Sequence, residues 1–227
     1  PGWTPGVRDA LEAMVRAGPG LAALDFDKTC LTGDVSETLL ARLAAASGRD
    51  LVGEYEAACA VDLRAAYVDL VPTLIAGRTE AEIRALALAT FRSGMAVREP
   101  IRELVWAMHR GGWEVWVVTA SAEVVVQPVA EQLGIHPHRV LGMRSPVGPD
   151  GRFVPVVTEP ITYREGKLAA IRAATGADPT FAAGDSRSDA PMMAAARYAL
   201  LLDHGDPALR DEAAARGWWV EPEERIR

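Results

Sequence analysis

Short apolar runs that stop abruptly at a polar residue recur along this chain. Leu21-Ala22-Ala23-Leu24 runs into Asp25, Val115-Trp116-Val117-Val118 into Thr119, and Phe181-Ala182-Ala183 into Gly184-Asp185. Tyr198-Ala199-Leu200-Leu201-Leu202 runs into Asp203, and a weaker run sits at Arg139-Val140-Leu141. The runs do not alternate polar with apolar, and helical patterns separate them. That is the signature of a parallel sheet covered on both faces, an α/β fold. Ligands of such sheets bind outside the carboxyl ends of the strands, so Asp25, Thr119 and Asp185 are expected on one rim.

Helical periodicity covers Val7 to Ala17, with Leu11, Met14 and Val15 on one face. It returns over Val35 to Ala46, before Gly48, and over Glu54 to Leu70. Glu80 to Thr90 follows with Thr79 as N-cap, then Pro100 to Arg110, ended by Gly111-Gly112. Residues 33–98 hold no strand signal and read as an inserted helical cap; residues 1–32 and 99–227 form the core domain. Pro128 should kink or restart the helix over Val124 to Leu133. Pro149-Asp150-Gly151-Arg152 is a turn signal between Leu141-Gly142-Met143 and Phe153-Val154-Pro155-Val156, which suggests a small β-ribbon at the sheet edge.

Composition narrows the partners. A chain of 227 residues is long for one domain of about 100–200 and short for two, which suits one core with an insertion. Asp and Glu outnumber Lys and Arg 31 to 24, a formal charge of −7 that disfavours nucleic acid. Cys30 and Cys59 cannot make a disulfide framework. There is no apolar run long enough to span a membrane, and Pro1-Gly2-Trp3-Thr4-Pro5 lacks a signal-peptide pattern. A cytoplasmic protein without a membrane partner, monomer or homodimer, is the expectation.

The candidate chemistry is acidic. Asp25 and Asp27 stand two apart in the loop after the first strand, and Asp185 and Asp189 follow a later one. Four carboxylates on one rim repel one another, and a hard cation relieves this; oxygen-only ligands favour Mg2+. Lys167 opens a helix and adds one positive charge. Thr119, with the N–H groups of Ala120 and Ser121 at a helix start, offers an anion cradle.

Asp-Phe-Asp-Lys-Thr, then Val-Val-Thr-Ala-Ser, then Lys167, then Gly-Asp-x-x-x-Asp is an ordered set. It resembles the four motifs of the haloacid dehalogenase (HAD) superfamily. The resemblance implies a Rossmann-like core with strand order 5-4-1-2-3 and a helical cap inserted after the first motif. The layout is most similar to the phosphoserine phosphatase-like branch, which includes phosphocholine phosphatases. Carried over, Asp25 is the nucleophile that forms an aspartyl-phosphate, and Asp27 is the general acid and then base. Thr119 binds phosphoryl oxygens and Lys167 stabilises their charge. Asp25, Asp185 and the backbone carbonyl of Asp27 hold Mg2+, with Asp189 in support. Thr29, Ala120, Ser121 and Ser188 fall among the substrate-binding positions; Ser188 stands where many relatives have Asn. Asp34 corresponds to an acidic residue that contacts a substrate amine, with Glu37 one turn on.

The resemblance thus implies a Mg2+-dependent phosphoric monoester hydrolase acting on a small phosphate ester, with amine-bearing esters such as phosphoserine or phosphocholine as candidates. A phosphotransferase or phosphomutase using the same aspartyl-phosphate is the alternative. A receiver-type signalling module is a third reading, opposed by the length and the late Gly-Asp-x-x-x-Asp. Plainer roles stand beside these. Asp34 can simply cap the Val35 helix, and Tyr55 and Tyr67 can be packing residues or can face a quaternary amine. Cys30 reads as a small buried hydrophobe; Trp106, Trp113 and Trp116 read as core, and Trp218-Trp219 as terminal docking. Arg187 reads equally as an ion-pair partner or a phosphate contact.

Overall fold

The first apolar run folds as β1 (Leu21–Leu24), preceded by helix α1 (Pro5–Arg16), in a computed structural model that describes residues 2–226. Four helices follow: α2 (Val35–Ser47), α3 (Leu51–Val61), α4 (Leu63–Ile75) and α5 (Glu80–Phe91). Helix α6 (Glu99–Arg110) then leads into β2 (Glu114–Ala122), α7 (Glu123–Ala130) and β3 (Val140–Met143). The last part alternates: α8 (Glu165–Thr175), β4 (Phe181–Gly184), α9 (Ala190–Ala195), β5 (Tyr198–Asp203), α10 (Pro207–Arg216) and β6 (Trp219–Pro222).

The six strands form one sheet of order β3-β2-β1-β4-β5-β6, and every pairing is parallel. The order contains the expected 5-4-1-2-3 and adds β6 beyond it. Trp219 therefore starts an edge strand directly after Trp218: Leu200 pairs with Trp219, whose ring stacks on Tyr198 at 5.5 Å. Successive strand positions feed opposite faces. Ala22 and Leu24 join Val115, Val117, Phe181 and Leu200 on one side. Ala23 joins Val118, Ala182, Ile171 and Met193 on the other.

The chain leaves β1 and returns to β2 through a narrow neck. Leu31 and Val97 form an antiparallel bridge, and the Thr32 N–H donates to the Ala96 carbonyl at 2.9 Å. Between them, the single helix expected over Glu54 to Leu70 is two helices. Asp62 breaks it, because its side chain caps α4 by accepting from the Ala65 N–H at 3.0 Å. Thr79 and Glu82 form a reciprocal capping box at the start of α5. Leu39, Leu40, Leu74 and Ile83 from these helices belong to the same buried cluster as Leu24 and Val117 of the sheet.

Three local expectations are corrected. The ribbon after β3 is reduced to two isolated antiparallel bridges, Arg144 with Thr158 and Val147 with Phe153. Pro146 and Pro155 have no N–H to extend a ladder. Helix α7 runs through Pro128 to Ala130 and then tightens into a 3-10 turn at Glu131–Leu133. Trp113 is buried, but Trp106 is 47% exposed, with the Arg102 guanidinium 6.0 Å from its ring. Among the described residues, no helix is long and apolar enough to cross a membrane.

Candidate active site

Strand β1 lies where the sheet order reverses direction, with β2 on one side and β4 on the other, so its carboxyl end opens into the crevice of the fold. Asp25 continues the ladder by one bond, its N–H donating to the Ala183 carbonyl at 2.9 Å. The chain then curls sharply. Lys28 takes the left-handed φ of 61°, which lets its N–H reach the Gly33 carbonyl and the Cys30 N–H reach the Phe26 carbonyl. The curl sends the two aspartates of the loop to different partners.

Asp25 faces a buried charge cluster. Its Oδ1 accepts from Lys167 Nζ at 2.6 Å and its Oδ2 from Thr29 Oγ1 at 2.8 Å. Lys167 also donates to Asp189 Oδ1 at 2.5 Å, and Thr29 reaches Asp185 Oδ1 at 3.2 Å. Asp27 is turned toward the start of α2. It accepts from the Val35 N–H and the Ser121 hydroxyl, each at 2.7 Å.

Two glycines make this closeness feasible. Gly184 ends β4, and a Cβ there would lie 2.3 Å from the Asp189 Cβ. The bare backbone lets Asp189 fold back, so that its Oδ2 accepts from the N–H groups of Asp185 and Ser186 and from the Ser186 hydroxyl. Gly166 sits before Lys167, and a Cβ there would lie 1.8 Å from the Ile161 carbonyl oxygen. That contact sets α8 tightly against the loop that precedes it.

Burial and like charge govern the proton affinities. Burial, with Asp189 alongside, raises Asp25 to about 6 although Lys167 and Thr29 oppose it. Burial, and then Asp34, pushes Asp27 well above the ordinary carboxylate range. Asp185 is raised too, by burial and by Asp25 and Asp189. Burial would lower Lys167, but Asp189 and Asp25 overcome it and keep the ammonium charged. Asp25, Asp185 and Asp189 offer oxygens within 4.8 Å of one another. An all-carboxylate set of this size fits a hard divalent cation. The Asp27 carboxylate stands outside that trio.

Thr119 is buried in the last part of β2. Its hydroxyl accepts from the Ser121 N–H at 3.0 Å, and its carbonyl accepts from Thr162 Oγ1 at 2.6 Å. The expected helix start at Ala120 and Ser121 is corrected: β2 continues to Ala122 and α7 begins at Glu123. These N–H groups belong to an extended strand end, because Ser121 is tied to Thr119 and Asp27. Ser188 turns to its own loop, with its hydroxyl 2.9 Å from that of Ser186. Arg187 is an ion-pair partner, forked onto Asp206 at 2.6 and 2.8 Å.

Asp34 caps α2, with Oδ1 accepting from the Glu37 N–H at 2.9 Å. Its Oδ2 lies 3.5 Å from Lys28 Nζ, which also meets Glu37 at 3.1 Å. Tyr67 stands between Tyr55, at 6.5 Å, and Tyr163, at 5.7 Å. Its hydroxyl is raised by burial and by Asp34 and Glu37, so this aromatic row borders the acidic pair. Thr162, Ser186 and Tyr163 carry no motif of their own in the sequence. Cys30 is buried as expected, its thiol donating to the Asp25 carbonyl.

A sequence model of the haloacid dehalogenase-like hydrolases matches residues 22–194. The chain belongs to that family. The match begins inside β1 and ends inside α9, so it takes in Asp25, Asp27, Asp34, Glu37, Asp185 and Asp189. A Streptomyces azureus protein named for inhibition of morphological differentiation is 38% identical over 120 residues, 51% of this chain and 42% of that relative. The chain thus matches less than half of that relative's length. The phosphoserine phosphatase of Halobacterium salinarum is 28% identical over 193 residues, 81% of this chain and 85% of that one. Among solved structures, a Bordetella pertussis protein of unknown function superposes with a TM-score of 0.74 at 22% identity. That overlap covers 89% of this chain and 98% of the other, and it carries the fold alone.

Proposed function

We propose that this HAD hydrolase is a phosphatase that cleaves a small phosphomonoester through an aspartyl-phosphate on Asp25. One observation carries the reading: the loop after β1 gives its two aspartates opposite environments. Asp25 is held against Lys167 and Thr29, while Asp27 is held apart by the Val35 N–H and Ser121. Phosphoryl transfer needs a placed nucleophile, a separate proton donor and neutralised charge. An Asp25 oxygen attacks phosphorus as the ester P–O bond breaks, and Asp27, whose proton affinity burial and Asp34 raise, gives a proton to the leaving oxygen. Asp27 then takes a proton from water, which displaces Asp25 and frees inorganic phosphate.

Lys167, the Thr119 hydroxyl and the N–H groups of Ala120 and Ser121 are assigned to the phosphoryl oxygens. Asp25, Asp185 and Asp189 would hold Mg2+, with the Asp27 carbonyl as a further ligand. The ion would supply positive charge to the phosphoryl group. Helices α2 to α5 are assigned to a cap that closes over substrate. Asp34 and Glu37 face one Lys28, which leaves a net −1 beside the row of Tyr67, Tyr55 and Tyr163. A substrate ammonium or quaternary amine fits that surplus, and cation–π attraction would add to it.

The test is a screen of phosphate esters, including phosphoserine and phosphocholine, with and without Mg2+ and with an acceptor alcohol. Release of inorganic phosphate that Asp25→Asn abolishes supports the reading. Phosphate appearing mainly on the acceptor would make the protein a phosphotransferase instead. Wild-type turnover by Asp25→Asn would remove the nucleophile assignment.

A further inference from the structure

Resting on that reading, we infer that Arg98 is a positioning residue for the reaction, strapping the nucleophile loop to the carboxyl-terminal segment. Arg98 stands at the neck where the inserted helices rejoin the core, and its side chain is fully buried. It touches none of the acidic residues that carry the chemistry. Its donors go to the outside of the loop that carries Asp25 and Asp27. Nε donates to the Leu31 carbonyl at 3.1 Å and Nη2 to the Lys28 carbonyl at 3.1 Å. The Arg98 N–H donates to the Cys30 carbonyl at 2.9 Å.

The other side of the guanidinium is held by residues near the end of the chain. Nη2 meets Glu223 Oε1 at 3.0 Å, and Nη1 meets the Ile226 carbonyl at 3.4 Å. His204, at the end of β5, lies 3.3 Å from the same Lys28 carbonyl and 3.8 Å from Glu223. Glu223 thus bonds Arg98 directly and lies beside His204, the two groups that reach the Lys28 carbonyl.

The grip falls on the strained point of the loop. Lys28 is one of two non-glycine residues with positive φ among those described. A side-chain-bearing residue keeps that conformation only where its surroundings over-determine it. Lys28 links Asp27 to Thr29, and Thr29 sets both Asp25 and Asp185. Release of the Lys28 carbonyl lets the residue relax to negative φ, which swings Asp27 and Thr29 off their partners. A displacement of about 1 Å at reacting groups lowers turnover about 100-fold.

The experiment is a double-mutant cycle on the full chain, assayed with the best ester from the screen. Arg98→Lys keeps the charge but loses the fork; kcat should fall about 10–100-fold with KM nearly unchanged. Lys28→Gly adopts positive φ freely, so Arg98→Lys added to Lys28→Gly should cost less than about 3-fold. Amides of residues 28, 30 and 31 should exchange faster in Arg98→Lys, while those of β1 and β4 keep their protection. Should Arg98→Lys not fold, Glu223→Gln tests the strap, with a smaller kcat loss and the same local exchange. An unchanged kcat, equal losses in both backgrounds, or a uniform loss of protection overturns the inference. An active parent with any of those results leaves the phosphatase reading standing, whereas a parent inert toward every ester removes that reading itself.

Discussion

Replacing Lys167 with Met is the most exacting stability test of the buried cluster. The ammonium is 1% exposed and bridges Asp25 at 2.6 Å and Asp189 at 2.5 Å. Methionine fills similar volume, so the packing loss is small and the electrostatic loss dominates. Removing one partner of a buried ionic group costs about 3–5 kcal/mol, because charge is left uncompensated. For a chain of this size each kcal/mol is about 2–4 °C of Tm, so the drop should be about 6–20 °C. The loss should also depend on pH. Asp25 already sits at about 6 with the lysine in place, and without it moves higher. A folded carboxyl raised above its unfolded value binds protons the unfolded chain does not, so stability falls as pH rises between the two values. The Lys167→Met deficit should therefore be smaller near pH 4 than near pH 8, growing as pH rises above about 6. Urea unfolding of both proteins at these pH values, without added metal, measures it. A deficit below about 1 kcal/mol, or one equal at both pH values, would refute the account of Lys167 as the charge that holds these carboxylates together.

Three further outcomes are expected. Asp27→Asn should slow both formation and hydrolysis of the phosphoenzyme by about 100- to 10,000-fold, read by rapid quench, while Mg2+ affinity by calorimetry stays close to that of the parent. Mg2+ binding should expel protons from the acidic trio, more at pH 6 than at pH 8, since Asp25 titrates at about 6; calorimetry in buffers of different ionisation enthalpy reads the proton count, and equal release at both pH values would contradict it. Gly184→Ala should drive Asp189 from its 2.5 Å contact with Lys167, lowering both Tm and Mg2+ affinity; a crystal structure of that variant with Asp189 unmoved would count against the close-approach explanation.

The rim of the sheet was legible because each central strand is a uniform apolar run with a polar residue at its end. Asp25 and Asp185 come together for that reason, while Thr119 follows the apolar run of the neighbouring strand and bonds to Ser121 and Thr162. Strand β6 was not legible: at the sheet edge it has one partner, and Trp219 and Val220 give too short a run to register. The break at Asp62 hid inside an otherwise continuous helical pattern, since a capping aspartate and a surface aspartate look alike until the backbone turns. Lys167 could be placed through motif order, but its bridging of Asp25 and Asp189 depends on Gly166 and Gly184 lacking side chains. Thr162 acts through its hydroxyl on the Thr119 carbonyl and Ser186 through its N–H and hydroxyl on Asp189, and such local bonds leave no periodic trace. Arg98 is charged, and no pattern of charge predicts that its donors go to main-chain carbonyls in the interior.

The span between Asp25 and Lys167 has a consequence for how the protein is made. The two are 142 residues apart in sequence yet joined by a 2.6 Å contact. A ribosome adding about 5–20 residues per second needs roughly 7–30 s to travel between them. Throughout that interval the nascent chain carries Asp25 and Asp27 but neither Lys167 nor the loop of Asp185 and Asp189. Their section of the interior can close only when translation has passed β4 and α9. The buried charge cluster thus closes only after α9 has been made, and an abandoned fragment ending before α8 would carry Asp25 without the Lys167 cation.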